Sequence, residues 1–388
     1  MSPPKKSLLF PAMPSLQQTL LSRIEASGPI SFTEFMEAAL YDPERGYYAS
    51  GKARIGASGD FVTAVSAGPL FGRLLARQFH EMWNHLGCPS SWLLVEQGAF
   101  DGRLCADILE GLADFAPACF TATSVAIVEP FPQFQVNQET TLQRFQSKIT
   151  WHRSCDSLPV FTGVHYSNEL LDAFPFHILR RTENEWQELR VGAESNTLAF
   201  GTHPIEDPEL LKVADSLPSL EAGFTSEVGL QPRTWLATLR QKLTRGWLLT
   251  FDYGMTQDEL LAPHRKNGTA SAYRSHQRQD DLLSNPGEQD LTAHVNFTAR
   301  TRDALAEGWQ LAGYADQHRF FTGLAPLHFQ DATQKLTMPQ QRELLAFRTL
   351  THPQLMGCQF KAWSLSRGVV KKLSGFQFGS TALDGQEV

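Results

Sequence analysis

The sequence predicts an α/β protein: a doubly wound, mostly parallel sheet that finishes in a terminal antiparallel hairpin, with a helical N-terminal cap and an inserted antiparallel hairpin and lid. Three observations carry that reading. Residues 91–129 read strand, glycine turn, helix, strand. Trp92-Leu93-Leu94-Val95 and Val125-Ala126-Ile127-Val128 are short apolar runs of the kind buried on both faces of a parallel sheet, and Leu104, Ile108, Leu112 and Phe115 recur between them at helical spacing. Further buried runs follow at 164–167 and 246–251, the second led in by a helical stretch. Each of the four runs ends in acidic or amide residues: Glu96, Glu129, Asn168-Glu169 and Asp252.

In chain order, residues 16–26 read as a helix, and Ser31 with Glu34 three residues on forms a capping box for a second helix over 32–40. Tyr41, Tyr47 and Tyr48 surround Pro43 and Gly46 in a rigid turn with aromatic walls. A helix over 69–86 turns Phe71, Leu74, Leu75, Phe79 and Met82 inward. After the central unit comes a short strand at Ile149-Thr150 with Trp151 beside it, a residue that either packs in the core or stacks near an adenine. Residues 176–201 alternate as an inserted hairpin, 204–229 read as helix and loop, and 232–244 as helix. Residues 255–290, rich in Gly, Pro, His and polar residues, read as a long lid loop. A helix over 298–308 and strands at 309–315 and 360–366 complete the sheet, with 326–353 as helix and connector and 374–388 as a frayed tail. The expected units are a cap (1–68), a first half of the core (69–175), an inserted segment (176–230) and a second half (231–388) with a lid over 255–297.

The chain has 388 residues, 42% hydrophobic and 19% charged, which suits one large α/β domain or two modest ones. A net charge of −7 and no Lys/Arg block longer than Lys5-Lys6 argue against a nucleic-acid partner. Cys88, Cys105, Cys119, Cys155 and Cys358 are odd in number and form no C-x-x-C pair, so they read as buried thiols in a reducing compartment, with no metal site. No apolar run approaches the roughly 18 residues of a membrane span. Residues 1–10 lack both a signal-peptide core and an Arg-rich presequence pattern, and the expected location is cytoplasmic.

In open α/β sheets ligands bind at the carboxyl ends of the strands. A glycine turn there brings backbone close to a ligand, and an acid ending the next strand accepts both hydroxyls of a ribose. Glu96, Gly98, Gly102 and Glu129 therefore suggest an adenosine-containing cofactor. A pyrophosphate calls for G-x-G-x-x-G, whereas here Glu96 stands two residues before Gly98, and bulky Phe100 sits where a middle glycine belongs. The acid suits a positively charged ligand such as S-adenosylmethionine. A ligand-free crossover and a dinucleotide oxidoreductase are the alternatives that these residues leave open.

Several blocks in one order make the resemblance specific. Phe35-Met36, Ala39-Leu40-Tyr41-Asp42-Pro43, Gly46-Tyr47-Tyr48, Gly59-Asp60-Phe61-Val62-Thr63, Ile127-Val128-Glu129-Pro130, Ser167-Asn168-Glu169-Leu170-Leu171-Asp172-Ala173-Phe174-Pro175, Asp252-Tyr253-Gly254 and residues 287–295 span nearly the whole chain. Together they resemble the MidA-like family of S-adenosylmethionine-dependent methyltransferases. The resemblance implies a Rossmann-like class I methyltransferase sheet with S-adenosyl-L-methionine as cofactor. It further implies that Asp60 and Thr63 close the cofactor pocket from the cap, and that the activity is arginine methylation of a respiratory-complex subunit, a quinone-linked dehydrogenase, in an assembly role. The family has a glycine where Phe100 stands. For an arginine acceptor, Glu169 and Asp172 are the expected acids, with Asn168 holding the acceptor and Asp252 or His294 assisting. The partner is then a protein substrate, and a homodimer is compatible with the sequence. A catalytically silent assembly scaffold that keeps the fold is the other reading.

Overall fold

The computed structural model describes residues 14–51, 65, 68–274, 277–329 and 337–383. Two helices, α1 (Leu16–Ser27) and α2 (Phe32–Tyr41), open the chain, joined through a short strand, β1 (Ile30–Ser31). Each helix starts in a capping box, Ser15 with Gln18 and Ser31 with Glu34, which satisfies amides that a helix start leaves unpaired. After α3 (Leu70–His85) come β2 (Trp92–Gln97), α4 (Arg103–Phe115), α5 (Pro117–Ala122) and β3 (Thr123–Val128), then α6 (Pro132–Thr141), β4 (Ile149–His152) and β5 (Phe161–Asn168). An inserted segment holds β6 (His177–Arg181), β7 (Trp186–Glu194), β8 (Thr197–His203), α7 (Pro208–Ser216) and β9 (Thr225–Val228). The main sheet resumes with α8 (Gln231–Lys242) and β10 (Leu243–Met255). Next are α9 (Gln257–Leu260), β11 (Ser271–Arg274), β12 (Gln277–Gln279), β13 (Asp290–Thr292), β14 (Val295–Asn296), α10 (Phe297–Ala306), β15 (Gln310–Asp316), α11 (Gln317–His328), α12 (Met338–Thr351) and β16 (Phe360–Arg367).

The main sheet runs β15-β16-β10-β5-β2-β3-β4, with β14 paired to β10. Strands β10, β5, β2, β3 and β4 are mutually parallel, and β16 lies antiparallel between β10 and β15. Alternate residues of the parallel strands feed two cores. Leu94, Val125, Ile127, Val164 and Leu249 pack with α3 and α4, while Val95, Ala126, Val128 and Leu248 pack with α8 and α10. Burial on both faces explains why these strands read as unbroken apolar runs.

Four local expectations are corrected. The insertion is a five-stranded antiparallel sheet, β1-β7-β6-β9 with β8 on β7, rather than a hairpin, and β9 occupies part of the expected helix and loop. The expected lid loop contains a three-stranded sheet, β12-β11-β13. The tail is docked as far as its described residues go: the Ser374 amide and hydroxyl donate to Glu81, the Gly375 amide donates to Gln78, and Ser380 pairs with Tyr314. Of the five cysteines expected to be buried, Cys88 and Cys358 are exposed. A third core joins α1, α2, Phe176, Ile178, Leu189, Val191, Ala272 and Leu291, so the cap, the inserted sheet and the small lid sheet share one apolar interior. Among the described residues no helix is long and apolar enough to cross a membrane.

Candidate active site

Strand order reverses between β2 and β5, and a cleft of about 1360 Å³ opens at their carboxyl ends. The turn after β2 forms one wall. Gly98, Phe100 and Gly102 take positive φ of 76°, 47° and 81°. A Cβ at Gly98 would meet nothing nearer than the Leu170 Cδ1 at 3.5 Å, so its backbone is open to the cleft. Gly102 instead starts α4 and packs on Leu142, and it does not line the cleft. Phe100 turns its ring onto Phe134, 5.3 Å between centroids, and its carbonyl accepts from the Gln138 Nε2 at 3.1 Å.

Both strand-ending acids line the cleft and are buried. Glu96 accepts from the Tyr166 hydroxyl of β5 at 2.9 Å, and burial pushes its carboxyl up to about 8. Glu129 accepts from the Phe131 amide on Oε1 (3.0 Å) and from the Gln138 Nε2 on Oε2 (2.9 Å), and burial raises it to about 7. Trp151 donates its indole N–H to the Gln138 Oε1 at 3.0 Å, so it braces the amide that orients Glu129 and does not itself line the cleft.

The opposite wall is the segment after β5. There the chain forms a tight turn with Glu169 at φ 52°, because Asp252 at the end of β10 collects the amides of Leu170 (3.0 Å), Leu171 (2.7 Å) and Asp172 (3.4 Å) on one oxygen. Asp252 is fully buried and lies outside the cleft lining, while Asn168, Glu169, Asp172 and His294 all line it. Burial, then the Asp172 charge, raises Glu169 to about 8, and burial also raises Asp172. Asn168 donates to the Glu169 Oε1 at 2.9 Å. The Asn168 Oδ1 and Asp172 Oδ1 are buried and have no hydrogen-bond partner among the described residues. Burial, then the charges of Arg265 and Lys361, holds His294 down at about 4, so its ring is neutral, stacked 6.5 Å from that of Tyr253.

Sequence reasoning did not single out Asp290, a third acid of this wall, which accepts from the Tyr48 hydroxyl at 2.9 Å across 242 residues of chain. Tyr41 donates to the Ala173 carbonyl at 2.8 Å and tethers the acceptor turn to the cap. The tyrosine cluster was the available signal, and its partner lay too far along the chain to read. Asp60 and Thr63 fall outside the described residues.

A central parallel sheet with one antiparallel strand slotted in near its end, a glycine turn after the first core strand and an acid after the second define a class I S-adenosylmethionine-dependent methyltransferase. Residues 74–315 match the S-adenosyl-L-methionine-dependent methyltransferase family Methyltransf_28, and the chain belongs to that family. The cofactor is S-adenosyl-L-methionine. A crystal structure from Burkholderia thailandensis, a superfamily member bound to S-adenosyl-homocysteine, is 28% identical and superposes with a TM-score of 0.84, covering 94% of this chain and 95% of that one. Among curated proteins, the mitochondrial protein arginine methyltransferase NDUFAF7 of Homo sapiens is 27% identical over 92% of this chain and 84% of its own. The mitochondrial NDUFAF7 homolog of Drosophila melanogaster is 26% identical over 92% and 86%. These relatives overturn the expected cytoplasmic location, since they are mitochondrial proteins.

Proposed function

We propose that this methyltransferase modifies an arginine side chain of a protein. The observation that carries the proposal is the wall of acids, Glu169, Asp172 and Asp290, with the orphaned Asn168 Oδ1 and Asp172 Oδ1 facing a cleft whose other wall suits the cofactor. A planar guanidinium offers five N–H donors and one positive charge, which is what these unpaired acceptors lack. The names of the relatives support the same acceptor. The MidA-like resemblance extends it to a subunit of a quinone-linked respiratory dehydrogenase.

The cofactor wall fits S-adenosylmethionine. The open backbone at Gly98 admits close approach, and Glu129 is held by one donor on each oxygen, which leaves a lone pair on each for the ribose hydroxyls. Glu96 provides the acid near the cationic end, and Gly102 sets the turn. When bound, the cofactor supplies an electrophilic methyl group on a sulfonium.

The chain's own residues then have three tasks. Asn168 Oδ1 and Asp172 hold the guanidinium by its N–H groups. The incoming charge, with a pKa above about 12, favours ionised carboxylates in the turn. As the new N–C bond forms, Glu169 accepts the proton that the nitrogen sheds, so the product leaves as a methylated arginine that keeps its positive charge.

The test is Glu169→Gln assayed on arginine peptides and on the native acceptor protein. General-base loss is expected to lower kcat roughly 100-fold or more while S-adenosylhomocysteine binds as before. Full turnover in a folded variant would refute Glu169 as the base. Mass spectrometry of arginine-methylated peptides from cells with and without the gene identifies the acceptor. The absence of any gene-dependent site would refute protein arginine as substrate.

A further inference from the structure

We infer that the mouth of this cleft recognises a carboxylate beside the target arginine, so that the acceptor sequence is an arginine flanked by aspartate or glutamate. The inference rests on the arginine reading above and adds a substrate class to it.

The cleft is electrically two-sided. Its acceptor wall is acidic, through Glu169, Asp172 and Asp290, whereas its outer lip carries Arg265, from the helical turn Pro263–Arg265, and Lys361, from β16. Both cations act on one ring, that of His294, as Arg278 also does. His294 donates its amide to the Thr269 hydroxyl at 3.1 Å, four residues past Arg265, and stacks on Tyr253, which packs 4.0 Å from Phe360, the neighbour of Lys361.

Neither cation has a carboxylate partner among the described residues. The Arg265 Nε is buried without a hydrogen bond, and the Lys361 ammonium reaches only the Cys358 carbonyl at 2.5 Å. The other arginine lining the cleft, Arg103 on the cofactor side, is paired with Asp101. Two rim carboxylates form no ion pair with either cation. Glu259 is turned onto the Thr256 amide and hydroxyl, and Asp258 is exposed to solvent. A peptide that buries its arginine against the acids would carry its adjacent residues past this lip. A carboxylate there would make charge-assisted hydrogen bonds to Arg265 and Lys361, while a flanking lysine would be repelled by the same two cations.

The experiment measures fluorescence anisotropy of two labelled peptides, one with glutamates around a central arginine and one with lysines, on the full chain saturated with S-adenosylhomocysteine. Methyl transfer to the same peptides is followed in parallel. The glutamate peptide is expected to bind at least about fivefold more tightly at low salt, with the margin shrinking as salt is added. Arg265→Glu with Lys361→Glu is expected to reverse the preference, its fold checked by an unchanged thermal shift on S-adenosylhomocysteine binding. Equal binding of both peptides to the wild type, or a preference that survives the double reversal, would overturn the inference while leaving the arginine reading standing. Failure to bind or methylate any arginine peptide, alongside turnover of a different acceptor such as lysine, would remove the arginine reading and this inference with it.

Discussion

Phe100 holds a side chain at φ 47°, between glycines at 76° and 81°, where a Cβ crowds the backbone by about 1–2 kcal/mol. Its ring offsets part of that by packing on Phe134. Two truncations separate the terms. Phe100→Ala keeps the strained backbone and loses the ring, and Phe100→Gly loses the ring and the strain. The glycine variant is therefore expected to be the more stable of the two by about 1 kcal/mol in urea unfolding, the reverse of the usual order of Ala and Gly. An alanine variant as stable as the glycine one would show that the turn is not strained. The acids carry a second prediction. Glu169 lies near 8 in the free enzyme through burial and the Asp172 charge, so it is protonated below that pH and neither pairs with a guanidinium nor accepts its proton. Consequently kcat/KM for an arginine peptide is expected to rise with pH and level off above about 8, and Glu169→Gln should abolish that limb. A profile flat from pH 6 to 9 would contradict it. Glu96, Glu129 and Glu169 were legible in the sequence because each ends an apolar run. Asp290 was not, because its partner Tyr48 is supplied by the cap.

At the scale of elements, the turn after β5 exists because β10 ends in Asp252. Four amides converge on this carboxyl: Leu170, Leu171 and Asp172 on one oxygen, and Tyr253 on the other at 2.9 Å. Burial, then the Asp172 charge, raises its pKa well above the ordinary range, so an amide is its closest mimic. Asp252→Asn keeps an acceptor for the three turn amides and loses the one for Tyr253, whereas Asp252→Ala strands all four. Each buried unpaired amide costs about 1–3 kcal/mol, so the alanine variant is expected to melt well below the asparagine one and to lose kcat. In the asparagine variant S-adenosylhomocysteine affinity should be preserved, because the cofactor wall is untouched. Equal melting temperatures for the two variants would show that the turn stands without Asp252. The same logic explains which elements could be read from sequence. The core strands advertise themselves because both faces are buried. By contrast β9 and β12, of sequence TSEV and QRQ, carry no apolar pattern and are strands only because β6 and β11 pair with them. Strand β1 is two residues held by Val191 and Arg190, a contact about 160 residues away in the chain that no local signal reports.

Across the whole molecule, the cleft is a store of buried acids that folding drags toward their neutral forms, and this sets how stability varies with pH. Glu96 and Glu169 stand near 8 and Glu129 near 7, all raised by burial, against about 4.3 for an unfolded glutamate. Between those limits the folded state binds more protons than the unfolded chain, so stability falls as pH rises through the folded values. The buried histidines act in the opposite direction. Burial holds His165 near 3 and His294 near 4, and they resist folding only below the unfolded value of about 6.5, where the unfolded chain binds their protons. Above 6.5 they are neutral in both states, which leaves the acids to decide the slope. The melting temperature of the cofactor-free protein is therefore expected to drop steadily from pH 6.5 to 8. In Glu96→Gln with Glu129→Gln, where two of the acids can no longer ionise, the drop should be visibly shallower. A melting temperature that stays level or climbs over that interval would mean that the acids are solvated in the free protein. The cleft would then be too wet to hold a protonated base near neutrality, and the pH profile argued for Glu169 would fail with it.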